Sequence, residues 1–163
     1  MKRTDAAQAK RAAIGGLTAA LYVILTLLSH TFGLASGAVQ VRLSEALCIM
    51  PVFTPYAIPG LTVGCILSNL ITGCTLPDVI FGSIATLFGA IGTYAFRKKR
   101  GLFCIPPVLS NTLIIPLVLC AYTNSTMAYP IVVLTVLAGE IISCVLLGQF
   151  LYSGLNKALK RII

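Results

Sequence analysis

The chain contains no tryptophan, a single histidine and only four acidic residues among its 163. Charge of either sign is scarce: 10% of residues carry it, against about a quarter in an average soluble domain. With His30 alone, chemistry that needs clustered imidazoles or a serine triad has little to work with. The six cysteines stand at scattered positions with no Cys-x-x-Cys pair, so neither a zinc site nor a disulfide framework follows. They read as small apolar packing residues. The G-x-x-x-x-G-K-[ST] phosphate loop is missing, and with it the familiar means of binding and hydrolysing ATP. H-E-x-x-H and G-x-S-x-G are missing too. No catalytic residue, metal ligand or cofactor is expected.

What is present is apolar: 58% of residues are hydrophobic and the mean hydropathy is +0.98. Uncharged runs cover 12–41, 46–77, 79–96, 101–139 and 141–156, and apart from the basic cluster Arg97 to Arg100 only Arg42, Glu45, Asp78 and Glu140 interrupt them. A transmembrane helix needs roughly 20 such residues, whereas barrel strands alternate in segments of about ten. The expected fold class is all-α, a polytopic membrane protein with about six transmembrane helices and a multi-pass place in a prokaryotic cell membrane. The net charge of +8 does not point to nucleic acid, because eleven of the twelve basic residues fall in three clusters that flank apolar runs. These are Lys2, Arg3, Lys10 and Arg11; Arg97 to Arg100; and Lys157, Lys160 and Arg161. Basic flanks mark cytoplasmic ends, so the expected partner is the lipid bilayer, both termini are cytoplasmic, and an even number of crossings separates neighbouring clusters. The basic start followed by 14–28 resembles a secretory leader, but its apolar run reaches spanning length and is read as the first helix.

Predicted helices cover 12–32, 43–54, 56–72, 78–96, 102–121 and 130–156. Pro51, Pro55 and Pro59 break 43–72 into two pieces of about 18 to 24 Å, short of the ~30 Å hydrocarbon core. Two thin crossings and one re-entrant hairpin both satisfy the parity. Outer loops are expected near 33–40, 73–76 and 122–129, and Asn124-Ser125-Thr126 is read as turn chemistry rather than a glycosylation acceptor. No repeat or linker divides the chain, which reads as one integral membrane domain over 1–163.

An ionisable group at the middle of a membrane helix costs about 2.5 to 3.5 kcal/mol, so the interrupting charges need a reason. This topology puts Arg42, Glu45, Asn69 and Asp78 at the outer face, with Asn111 and Glu140 about 15 Å down from their outer helix ends. Polar groups converging beside short, proline-broken segments are the pattern of a solute site. Local alternatives exist: Arg42 and Glu45 neutralising each other three residues apart, Asp78 favoured by the dipole of its helix start, and Asn69 and Asn111 bonding between helices. Three acids against one base would favour a solute rich in N–H donors or carrying an amine. On the first helix, Ala12, Gly16 and Ala20 recur every four residues and leave a bare face, suited to internal packing or to a partner subunit.

The stretches Val41-Arg-Leu-Ser-Glu-Ala-Leu47, Ile58-Pro-Gly-Leu61 with Ser68-Asn69, and Asp78-Val-Ile-Phe-Gly-Ser-Ile-Ala-Thr86 resemble the QueT family. The likeness continues through Pro106-Pro107 with Asn111 and through Gly139-Glu140, and so extends over nearly the whole chain. It implies a six-helix substrate-binding S component of an energy-coupling factor (ECF) importer. Such a subunit would capture a queuosine precursor, a 7-deazaguanine such as preQ1 or preQ0, in an outward-facing pocket. Its partners would be a membrane coupling subunit (EcfT-like) and two cytoplasmic ATPases. On that resemblance Glu45, Asp78 and Glu140 would accept from the guanine-like N–H edge or pair with an aminomethyl cation, and Asn69 and Asn111 would meet the remaining ring edge. Arg42 would orient Glu45 or face the ring carbonyl, and 33–40 would form a lid. The alternatives are an S component for another vitamin or nucleobase, a stand-alone proton-coupled carrier using Glu140, and an assembly subunit without a ligand.

Overall fold

A bilayer offers no water to an apolar segment's backbone, so each N–H and C=O must pair within its own helix. The computed structural model describes residues 2–34, 39–99, 101–122 and 128–162, with side chains between 5 and 158 inside those bounds. Among the described residues there are helices and no strand. They are α1 (Lys2–Thr31), a 3₁₀ helix (Leu43–Val52), α2 (Ala57–Ile71), α3 (Leu76–Ala95), a short 3₁₀ turn (Leu102–Cys104) leading into α4 (Ile105–Tyr122), and α5 (Tyr129–Glu140). α5 continues through a π-helical stretch, Ile141–Leu147, into α6 (Gly148–Ile162). Four rods are long and apolar enough to cross a membrane: Asp5–Thr31, Leu76–Ala95, Leu102–Tyr122 and Tyr129–Ala158. Their outward sides carry exposed Leu17, Phe88, Leu113, Leu134 and Phe150, a surface made for acyl chains. The chain is a multi-pass helical membrane protein.

The expected helix over 43–54 is a 3₁₀ helix. Runs of this kind are short in most proteins because their hydrogen bonds are poorer, but they rise about 2.0 Å per residue, so ten residues here cover roughly 20 Å. α1 holds this stretched segment at its start, where the Leu43 N–H donates to Ser29 Oγ at 2.8 Å. The chain then descends beside α1 until Tyr56 lies under the Arg11 guanidinium, 5.1 Å from its ring centroid. Ser29 and Arg11 are 18 residues apart on α1, roughly 27 Å of helix. The descent therefore runs along most of the length of α1.

α2 returns alongside α1, and glycine permits the approach. A Cβ on Gly60 would stand 2.4 Å from the Gly15 carbonyl oxygen, and one on Gly64 would stand 2.8 Å from Tyr22 Cβ. The internal crossing therefore uses Gly15, Thr18, Ala19 and Tyr22. Ala12, Gly16 and Ala20 lie on another face and are exposed, with no heavy atom within 4 Å of where a Gly16 Cβ would be. Among the described residues no other helix packs over Gly16. α3 and α4 close up in the same manner, Gly89 and Gly92 lying against Pro107 and Pro106.

Candidate functional site

Glu45 sits two residues into the 3₁₀ helix, Asn111 on α4 and Glu140 at the end of α5, and all three are buried. One amide joins them: Asn111 Nδ2 donates to Glu45 Oε2 at 3.3 Å and to Glu140 Oε1 at 3.0 Å. The Tyr22 hydroxyl, from α1, donates to Glu45 Oε1. Two thiols complete the array, Cys48 Sγ to Glu45 Oε2 at 3.1 Å and Cys144 Sγ to Glu140 Oε2 at 3.3 Å. Cys144 Sγ also lies 3.4 Å from the Glu45 carbonyl oxygen. A bond to a charged group contributes about 1.5 to 3 kcal/mol, the same scale as the cost of placing a carboxylate at this depth. The network is therefore what makes two buried acids tolerable.

The 3₁₀ geometry has a second effect. At three residues per turn, side chains at i and i+3 eclipse, so Glu45 and Cys48 stack along one line, while Arg42 caps the helix start with extended backbone. An α-helix would rotate Cys48 by about 60° from Glu45. Gln40, which precedes the helix, is held at the same place because its carbonyl oxygen lies where a Cβ on Gly139 would be, only 2.0 Å away. The chain can pass directly over α5 beside Glu140 only because position 139 has no side chain.

These residues enclose a hollow. Glu45, Asn111 and Glu140 form its floor, Arg42 and Gln40 one side, and Gly82, Thr86, Ile115 and Val136 the remaining wall. Its atom-free volume is about 350 Å³ including the open mouth, but a water-sized body can move its centre over only about 20 Å³ of it. That is room for a water molecule, whereas sites for drug-sized ligands run from about 300 to 1,000 Å³. Among the described residues the Arg42 guanidinium makes no hydrogen bond or ion pair, so it does not neutralise Glu45 by direct contact.

Glu45, Glu140 and Cys144 each offer one ligand atom within 4.8 Å of the others, a spacing a divalent ion could draw together. Asn111 and the thiols already donate to these oxygens, so the array as built is one of hydrogen bonds and we assign it no metal.

Of the six residues singled out by sequence, four meet here: Arg42, Glu45, Asn111 and Glu140. Glu45 lies deeper than its place near a helix start suggested, level with Asn111 and Glu140. Asp78 and Asn69 do not line the hollow. Asp78 is half-buried in the first turn of α3, its Oδ2 accepting from Thr75 Oγ1 at 2.8 Å. Asn69 is buried behind Gly82, with Nδ2 3.5 Å from both the Asp78 carbonyl oxygen and Cys65 Sγ, and ties α2 to α3. Tyr22, Gln40, Thr86, Cys48 and Cys144 escaped the sequence reading. For Tyr22 the signal was a polar line along α1, Thr18, Tyr22, Thr26 and Ser29, all buried. The ends of the expected lid are tied by a 2.9 Å bond from the Val41 N–H to the Leu34 carbonyl, while residues 35–38 lie outside the described residues. So do Arg100 and the Asn124-Ser125-Thr126 turn.

A family model described as QueT transporter matches residues 12–157. A protein of Lactococcus lactis subsp. cremoris (strain MG1363), named Queuosine precursor transporter QueT, is 38% identical over 85 residues, 52% of this chain and 50% of that protein. The similarity thus spans about half the length of that relative. No solved structure matches the chain.

Proposed function

The chain belongs to the QueT transporter family, and from that premise we propose that it is the solute-binding S component of an ECF-type importer that captures a queuosine precursor of the preQ1 or preQ0 kind. The observation that carries this reading is the floor of the hollow, where two carboxylates from separate elements are held side by side by Asn111. Carboxylates accept, so the floor suits an edge rich in N–H donors, as a 2-amino-4-oxo pyrimidine ring presents. Arg42 and Gln40, on one side of the same space, supply donors for a ring carbonyl. The name of the Lactococcus relative supports the choice of solute class.

In this reading the subunit depends on a membrane coupling subunit and two ATPases to move the solute. For that docking the open face of α1 is the natural surface. Ala12 and Gly16 are exposed there and, with Gly15 and Ala19, border a groove closed on its far side by Tyr56, Pro59 and Val63. Such a small-residue face lets another helix come close. Thermal unfolding of the purified chain with a panel of 7-deazaguanines, vitamins and nucleobases tests the solute. Stabilisation by deazaguanines alone is expected, and stabilisation by a vitamin alone would overturn the choice. Gly16→Leu should abolish co-purification with the coupling subunit and leave solute binding intact. Uptake by the lone chain in liposomes under a pH gradient would instead identify a proton-coupled carrier.

A further inference from the structure

We propose that Tyr22 is a positioning residue of the solute site, fixing the Glu45 carboxylate and, through it, the floor of the hollow. The inference rests on the reading of that hollow as the solute site. The two oxygens of Glu45 are held differently. Oε2 has Asn111 and the Cys48 thiol, groups that belong to the floor itself or to the same 3₁₀ helix. Oε1 has the Tyr22 hydroxyl, which comes from the neighbouring α1. Without that hydroxyl Oε1 has no donor among the described residues, and the carboxylate is free to rotate about the bonds that hold Oε2.

Tyr22 is itself held fast. It is 1% exposed, and Gly64 of α2 lies so close that a Cβ there would stand 2.8 Å from Tyr22 Cβ. Seven residues further along the same side of α1, Ser29 Oγ accepts from the Leu43 N–H. α1 therefore grips the 3₁₀ helix at two points about 10 Å apart, at its first residue and at its carboxylate. Between them Thr26 bonds only within α1, its hydroxyl donating to the Tyr22 carbonyl at 2.9 Å. Thr26 shares the burial and the helix face but does not reach the site, so it serves as the control. The grip also lies on the helix that carries the exposed Ala12, Gly16 and Ala20. A displacement of α1 therefore reaches Glu45 through one hydroxyl.

The test uses the full chain in detergent as Tyr22→Phe, Thr26→Val, Glu45→Gln and the double variant Tyr22→Phe/Glu45→Gln. Hydrogen–deuterium exchange without solute and calorimetric titration with the aminomethyl 7-deazaguanine are the two readouts. Tyr22→Phe should speed exchange over 43–52 at least fivefold, leave α3 unchanged and weaken binding about tenfold. Thr26→Val should match wild type in both. In the Glu45→Gln background, Tyr22→Phe should weaken binding less than twofold further. Unchanged exchange over 43–52, or an equal loss of affinity in both backgrounds, overturns the proposal. If wild type binds no deazaguanine while Tyr22→Phe still speeds exchange over 43–52, the positioning role stands and the choice of solute falls.

Discussion

Two polar groupings within the helical bundle behave in opposite ways. At the floor of the hollow, Glu45, Asn111 and Glu140 draw partners from α1, the 3₁₀ helix, α4 and α5, and although Cys48 and Cys144 add local thiol bonds, each of the three also bonds to another helix. Near the start of α3, Asp78 is met by Thr75 three residues before it, and Asn69 reaches the Asp78 backbone across a short turn. The second grouping closes a connection, whereas the first holds open a space. An acid near a helix N-terminus is favoured by the dipole and by local donors, so it needs no functional explanation. Two acids at mid-depth that share a single amide do need one.

That contrast can be broken by mutation. Asn111→Leu removes the shared donor and leaves two buried carboxylates short of it. A stranded buried acceptor costs about 1 to 3 kcal/mol, more when charged, so thermal unfolding in detergent should show a loss of that size or larger together with loss of solute binding. Glu140→Ala should come next, weakening calorimetric affinity by about 2 kcal/mol, roughly thirtyfold, with a smaller effect on unfolding. Retained affinity would show that the floor does not bind solute. Gly139→Ala should follow: the new methyl would meet the Gln40 carbonyl and push the Gln40–Arg42 segment outward. We expect about 1 to 2 kcal/mol of lost affinity, typical of overpacking, with the dissociation rate in stopped flow rising in step. Asp78→Asn should do least, costing about 0.3 to 1 kcal/mol of stability and changing affinity less than twofold. A tenfold loss of affinity there would return Asp78 to the solute site and erase the distinction.

Much of the fold was legible in the chain because the bilayer restricts it so severely. Long uncharged runs become helices, and Pro59 and Pro77 near the first turns of α2 and α3 sharpen two of the starts. The basic residues beside α1 were placed outside the apolar run, yet the helix continues through them to Lys2, since lysine and arginine are good helix formers. Of the site, the unusual charges were visible simply as costs. Which of those costs were offset locally was not visible, since Thr75 beside Asp78 and Cys48 beside Glu45 look alike on paper. Thiols read as packing residues turned out to donate to carboxylates, because only a fold can place sulfur against oxygen.

The amino-acid sequence by itself determined that this protein lives in lipid, where its spans lie, and that a few hydrophilic side chains would be out of place there. Tertiary structure decided which of them meet. The decision turned on one segment adopting three residues per turn instead of 3.6, which aligns Glu45 with Cys48 and brings Glu45 to the level of Asn111 and Glu140. Local preference would have made an α-helix there. Bonds from Ser29 and Tyr22 on a different helix hold the stretched form, and contacts between distant parts of a chain are not written in any short stretch of it.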